Sequence, residues 1–277
     1  MFRVLPIVLF LILILASISN AGLDFAGIPG IPHPTKIVLY HFESAEEGDG
    51  FTFTIDEGFW ASHGVLFDEA TIVENGKYGN CLELEKQGWL AAIVSDVPAL
   101  THSEFSFTVW IKFTEPANEL YFALSGRDAD NETMSGISVI IMSSGNFRAV
   151  YRHAIDDLFT GVETEDQNIF DGEWHHIVFS KVITIYTLYL DGEPVAEVFG
   201  EPDPKIEGER AVLYVSDLSE DDLNGKVLID DLGYFQTGFS PYDVKGLYND
   251  GLADFLEIMS VSPQDRLTTT WGKLKTQ

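Results

Sequence analysis

The sequence predicts an all-β protein, a two-sheet antiparallel sandwich with a short C-terminal helix. Three observations predict it. Apolar and polar residues alternate over many short stretches after residue 35, most clearly where Phe105, Phe107, Val109, Ile111 and Phe113 interleave with Ser106, Thr108, Trp110 and Lys112. Turn formers separate these stretches: Ser144-Gly145-Asn146, Asp171-Gly172, Asp191-Gly192 and Asn224-Gly225. One segment, opening at Ser240, carries a full helix signature.

The chain begins Met1-Phe2-Arg3, runs apolar from Leu5 to Ile18 and continues Ser19-Asn20-Ala21. This is the layout of a secretory signal peptide over residues 1–21, cut after Ala21. The run is shorter than the roughly 20 apolar residues of a bilayer-spanning helix. No later stretch is apolar enough to cross a membrane, so the expected location is secreted, extracellular or at the cell surface. Residues 22–35 are rich in Gly and Pro (Gly27-Ile28-Pro29-Gly30-Ile31-Pro32-His33-Pro34) and read as an extended linker. The sandwich is expected over residues 36–251. Residues 252–277 read as a C-terminal extension, whose tail carries Arg266, Lys273 and Lys275 against Asp265.

Formal charge is −28, and −29 without Arg3. So acidic a surface repels phosphate backbones, which argues against a nucleic-acid partner and favours divalent cations. Cys81 is the only cysteine, so no intramolecular disulfide forms and stability rests on the core. That fits a bacterial secreted protein better than a eukaryotic extracellular module. In the alternating string Cys81-Leu82-Glu83-Leu84-Glu85, Cys81 shares a face with Glu83 and Glu85 and reads as a small packed residue.

In chain order, strands are predicted at 36–40, 81–85, 105–113, 121–124, 137–142, 147–151, 175–181, 185–190, 195–199, 211–215 and 226–235. Trp110 falls on the face opposite the apolar one, so that face must also be covered. Asp191-Gly192 is a hairpin turn, since both residues tolerate positive φ. Pro194 after it needs a place without a ladder partner. For the helix, Ser240 is the N-cap, Pro241 the first helical residue and Asp243 the return partner of the cap. Val244, Leu247 and Tyr248 form its buried stripe and Asn249-Asp250-Gly251 ends it, with a second short helix fitting residues 252–259.

Three stretches in order resemble the laminin-G-like, concanavalin A-like jelly-roll domains of secreted proteins. Gly79-Asn80-Cys81-Leu82-Glu83-Leu84 with Phe105-Ser106-Phe107-Thr108-Val109-Trp110-Ile111-Lys112 is similar to the family's paired strands. Asp171-Gly172-Glu173-Trp174-His175-His176-Ile177-Val178 with Leu188-Tyr189-Leu190-Asp191-Gly192 is similar to its "DG-x-W-H-H" strand and "LY-x-DG" hairpin. Ile229-Asp230-Asp231-Leu232-Gly233-Tyr234-Phe235 with Leu247-Tyr248-Asn249-Asp250-Gly251 is similar to its closing strand and helix. The resemblance implies a two-sheet jelly roll whose curved face or loop edge binds glycan or protein. It also implies a structural calcium ion where the first and last strands meet. Matching its motifs assigns that ion to Glu43, after the first strand, and Asp230, in the last. Ca²⁺ takes six to eight oxygens, and Asp230 and Asp231, consecutive in a strand, point to opposite faces. The acidic loops Asp128-Ala129-Asp130-Asn131-Glu132 and Asp217 to Asp222 compete but read as solvated.

His175-His176 reads as packing beside Trp174, because adjacent strand residues cannot share an ion. A carboxylate pair for glycoside hydrolysis has no convincing strand: the nearest strings are Glu163-Thr164-Glu165-Asp166 and Asp56-Glu57. Sugar-stacking candidates are Trp60, Trp89, Tyr121, Tyr151 and Phe159. The expected function is a secreted lectin-like or adhesion module binding extracellular glycan or a protein surface, without catalytic residues. The alternatives are a purely structural cell-surface or matrix domain and an atypical polysaccharide-active enzyme.

Overall fold

The computed structural model describes residues 36–48, 50–58, 62–94, 104–116, 119–127, 134–152, 159–200, 210–216 and 223–260. The signal, linker, extension tail, both competing acidic loops and Trp60 lie outside them.

Two antiparallel sheets face each other. Sheet A runs β15 (Glu193–Phe199), β14 (Ile185–Leu190), β13 (His175–Val182), β8 (Phe105–Phe113), β17 (Leu223–Phe235), β6 (Asn80–Lys86), β5 (Ala70–Glu74), and β1 (Lys36–Tyr40) also pairs with β17. Sheet B runs β12 (Phe159–Glu163), β11 (Phe147–Arg152), β10 (Met134–Ile141), β9 (Leu120–Arg127), β16 (Arg210–Ser216), β7 (Trp89–Val94), β4 (Gly64–Phe67), β3 (Phe51–Thr54), β2 (Ala45–Gly48). The period-two residues meet in the middle. Phe105, Phe107, Val109 and Ile111 of β8 pack with Leu120, Phe122 and Leu124 of β9 and Leu213 and Val215 of β16. This is a jelly-roll sandwich, as the alternation predicts.

Sheet A is buried on its second face too. Helix α1 (Pro241–Ser260) lies over it, and Val244, Leu247, Leu252, Phe255 and Leu256 join Leu39, Val178, Tyr189 and Phe235 in a second apolar cluster. That cover explains how Trp110, on the face away from the main core, is 1% exposed. The cap forms as predicted: Ser240 N–H and Oγ–H donate to Asp243 Oδ2 at 2.9 and 2.6 Å. Gly251, at φ 78°, breaks the helix at the predicted stop Asn249-Asp250-Gly251, and a second helical stretch follows to Ser260, matching the short helix predicted over residues 252–259. Asp191 (φ 51°) and Gly192 (φ 82°) make the two-residue hairpin turn between β14 and β15. Pro194 sits on the edge strand beside a register irregularity, where its missing N–H costs nothing. Asp56 ties β1 to the β3–β4 loop: its carboxylate accepts from the N–H groups of Leu39, Gly58 and Ser62, each at 2.7 Å. Burial still raises its pKa against those three donors. Asp56 is thus a structural tie. Among the described residues no helix is long and apolar enough to cross a membrane.

Candidate functional site

The junction of first and last strands holds the two residues assigned to calcium. Both lean on one turn, Gly76 to Asn80. Glu43 Oε2 accepts from Asn80 N–H at 3.3 Å, and Asn80 Nδ2 donates to the Glu43 carbonyl at 2.7 Å. Asp230 Oδ2 accepts from Tyr78 N–H at 2.9 Å, and its Oδ1 from Asp231 N–H at 2.8 Å. Glycine is required at both corners of the turn. A Cβ on Gly79 would stand 2.3 Å from a Glu43 carboxylate oxygen, and one on Gly76 would stand 2.4 Å from the Asn80 carbonyl and 2.8 Å from Asp230 Oδ2. Burial first, then the neighbouring Asp231 carboxylate, pushes the Asp230 carboxyl up to about 7. Glu43 is exposed. Among the described residues no group of three or more His, Cys, Asp or Glu side chains converges as a metal shell.

Asp231 does not follow simple strand alternation. It has φ 46°, within a bulge of β17 against β8, so both consecutive aspartates are buried. Asp231 Oδ1 lies 2.5 Å from His41 Nδ1, and its Oδ2 accepts from Leu252 N–H at 3.4 Å. Burial opposes protonation of His41, but this hydrogen bond and the carboxylates of Asp231, Glu57 and Asp230 outweigh it and raise its pKa. Asp231 therefore links β1, β17 and the second half of α1.

The outer face of sheet B carries an aromatic row. Phe51, Phe67, Trp89 and Tyr214 come from four neighbouring elements of that sheet and are all half-buried. Their centroids are 6.4 Å apart (Phe51–Phe67), 4.0 Å (Phe67–Trp89, stacked at 14°) and 5.5 Å (Trp89–Tyr214). Cross-strand pairing of Phe67 with Trp89 sets the tightest contact. The Trp89 indole N–H donates to Asp68 Oδ2 at 3.1 Å, fixing the ring. Tyr121 of β9 lies on the same face, opposite Ser216 of β16, with its hydroxyl donating to Glu119 at 2.7 Å.

A laminin G-type model, described as the concanavalin A-like lectin/glucanases superfamily, matches residues 88–245, more than half of the chain. The chain belongs to this superfamily. Solved structures agree in fold. The binding domain of botulinum neurotoxin serotype D is 15% identical with a TM-score of 0.58, covering 79% of this chain and 52% of that one. The receptor binding domain of the C/D mosaic serotype is 16% identical with a TM-score of 0.57, covering 78% and 51%. The serotype D ligand binding domain in complex with N-acetylneuraminic acid is 16% identical with a TM-score of 0.57, covering 79% and 51%. The chain thus spans about half the length of these structures. No curated protein sequence matches it significantly.

Within this laminin G-type domain the paired histidines have separate structural posts. His175 is held between carboxylates, its Nδ1 2.9 Å from Asp191 Oδ2 and its Nε2 3.0 Å from Asp171 Oδ1. The Asp191 hydrogen bond, against burial, raises the His175 pKa. Burial works against the Asp191 carboxylate, but His175 and the His176 N–H hold it below its usual range. His176 is fully buried and lies under α1, its Nε2 2.7 Å from Thr108 Oγ1. The aromatic it stacks on is Trp110, at 4.8 Å, in place of the expected Trp174. Of the sugar-stacking candidates, Tyr151 is core, at 1% exposure, and Phe159 belongs to β12 without a described side chain. Trp89 and Tyr121 share the outer face of sheet B. Phe51, Phe67 and Tyr214 were not evident from sequence, because only the strand register brings them together.

Proposed function

We propose that this chain is a secreted lectin-like binding module, without catalysis of its own, that holds an extracellular glycan on the outer face of sheet B. The observation that carries this is the half-buried row Phe51–Phe67–Trp89–Tyr214 on the outer face of sheet B, while α1 packs on sheet A. Pyranose rings stack on such surfaces through their apolar faces, and a ring fixed by packing and a hydrogen bond loses little entropy on binding. The receptor-binding and N-acetylneuraminic acid-bound domains sharing the fold support a carbohydrate ligand.

Retention on a panel of immobilised polysaccharides tests the reading. At least one polymer should retain the chain. Trp89→Ala should weaken that binding about tenfold or more, roughly 1.4 kcal/mol, with an unchanged melting midpoint. Full retention by a folded Trp89→Ala variant, or no retention on any polymer, would overturn it.

We also propose a structural calcium ion at the strand junction. The donor chemistry fits: Glu43 and Asp230 supply hard carboxylate oxygens beside the Asn80 carbonyl, and a divalent cation would compensate a buried carboxylate that otherwise titrates near 7. Main-chain carbonyls and waters would complete the shell. Added Ca²⁺ at a hundredfold excess over its Kd is expected to stabilise the fold by about 2.7 kcal/mol, a midpoint rise of roughly 5–10 °C over the chelated protein. Identical midpoints with Ca²⁺ and with EDTA would contradict the ion.

A further inference from the structure

We infer that the glycan held by sheet B carries free amino groups and is bound in its protonated, cationic form; this rests on the reading of that face as the binding surface. The observation is a slot at the end of the sheet where β4 and β16 finish and β7 and β9 begin. Register sets it up. Phe67 of β4 is the direct partner of Trp89 of β7, and Ser216 of β16 is that of Tyr121 of β9. Val215 opposite Leu90 puts Ser216 beside Trp89. Trp89, Ser216 and Tyr121 therefore lie on one line across three strands, with positions 89 and 121 about 10 Å apart.

Phe67 stacks on the indole face turned to β4, at 4.0 Å and 14°, so the opposite face is turned toward β16 and Ser216. Ser216 is small and 6% exposed, and it makes a low floor between the two rings. Tyr214, the preceding outer residue of β16, borders one end of that floor, its ring 5.5 Å from the indole. Beyond the other end stand two exposed carboxylates, since Asp68 follows β4 and Glu119 precedes β9. Each of them holds one wall. The indole N–H donates to Asp68 Oδ2 at 3.1 Å, and the Tyr121 hydroxyl donates to Glu119 Oε2 at 2.7 Å.

Three rings and two carboxylates around one small floor suit a cation. An ammonium is drawn to aromatic faces by the ring quadrupole, and its N–H groups make charge-assisted hydrogen bonds to carboxylates. A hydroxyl in the same place makes only the weaker neutral hydrogen bond. A carboxylate or sulfate would face Asp68 and Glu119 with like charge. Among the described residues, the first cation along this line is Arg148, two strands past Tyr121, and it stands opposite Glu163. The charge of −28 on the chain has the same sign at long range and raises the local concentration of a polycation. An amino sugar satisfies both parts of the slot: its C–H face lies against the indole while its ammonium reaches the carboxylates.

The test sets chitosan oligomers against the same oligomers N-acetylated, which removes the charge and keeps the ring, on the full chain at a pH where the amines are protonated. Cellulose oligomers serve as the hydroxyl counterpart and polylysine as a polycation of another class. The amino form is expected to bind tenfold or more tighter than either sugar counterpart, with affinity falling as salt rises. Asp68→Asn/Glu119→Gln is expected to remove that preference while melting as the parent does. Should the double variant fail to fold, Asp68→Asn and Glu119→Gln are read singly by the same criterion. An unchanged preference in the folded variant would assign it to the overall charge of the chain and overturn the slot. Equal binding of amino and N-acetyl oligomers, or retention of other polysaccharides but not of chitosan, would overturn the amino assignment and leave sheet B as a face for another glycan. Polylysine bound as tightly as chitosan would overturn the glycan class, and no binding to any polysaccharide would overturn the reading of the face itself.

Discussion

Replacing Trp110 with alanine is expected to cost about 3–5 kcal/mol of unfolding free energy, the range for deleting a fully buried tryptophan. Trp110 stands between sheet A and α1. Its ring stacks on His176 at 4.8 Å and on Tyr248 at 5.5 Å, Tyr78 meets it edge-on at 6.1 Å, and Lys77 Nζ lies 4.0 Å from its centroid. The contributions are packing and cation–π attraction, because the buried indole N–H has no hydrogen-bond partner among the described residues. Trp110→Phe keeps the ring, removes that lone donor and is expected to cost less than the alanine variant. Guanidinium unfolding of the three proteins measures both differences. A loss below about 1 kcal/mol for Trp110→Ala would mean that α1 does not clamp this face.

Acid should destabilise the fold through His176. Burial pushes its imidazole down to about 3; the Asp191 carboxylate opposes that shift and Lys77 adds to it. The unfolded chain takes up this proton below about 6.5 and the folded chain only near 3, so stability is full above 6.5 and falls as pH drops through that window. The slope approaches 1.4 kcal/mol per pH unit, and the whole effect is on the order of 4–5 kcal/mol. His175 acts in the opposite direction. Its pKa is raised, so its contribution is complete below about 6.5 and is lost as pH rises through its folded value. Asp171 and Asp191, both lowered, add to the acid loss only in the carboxylate range. Asp230, raised to about 7, works against His176 over the same range, because the folded chain keeps a proton there that the unfolded chain releases at about 3.9. The His176 contribution is therefore read as a difference: the parent should lose stability relative to His176→Gln as pH falls from 6 to 4, as measured by denaturant midpoints of both proteins at each pH. A difference that does not change with pH would show that His176 is not the group responsible.

Much of the sandwich was legible in the sequence because side-chain period and turn chemistry act locally. The run from Phe105 to Phe113, the Asp191-Gly192 turn and the Ser240–Asp243 cap each carry their own signal, and each appears where predicted. Trp110 on the wrong face announced a second covering layer, and α1 supplies it. The short strands β2 to β5, and with them β7 and β12, were not read. Ala45–Gly48 is two acids between small residues, and such segments hold their shape only through neighbouring strands. The bend at Asp231 was equally hidden, since nothing nearby marks a non-glycine residue for positive φ. The binding face was the least legible part. Phe51, Phe67, Trp89 and Tyr214 have no common spacing and meet only once the register of four strands is known.

Oxidative footprinting of surface side chains, with and without a saturating retained polysaccharide, tests most directly whether sheet B is the binding face. Protection is expected at Phe67, Trp89, Tyr121 and Tyr214, with no change at Tyr242 on α1 or Phe199 on the edge of sheet A, which are 86% and 73% exposed. Protection of Tyr242 or Phe199 with Trp89 oxidised as before would place the ligand elsewhere and contradict the account.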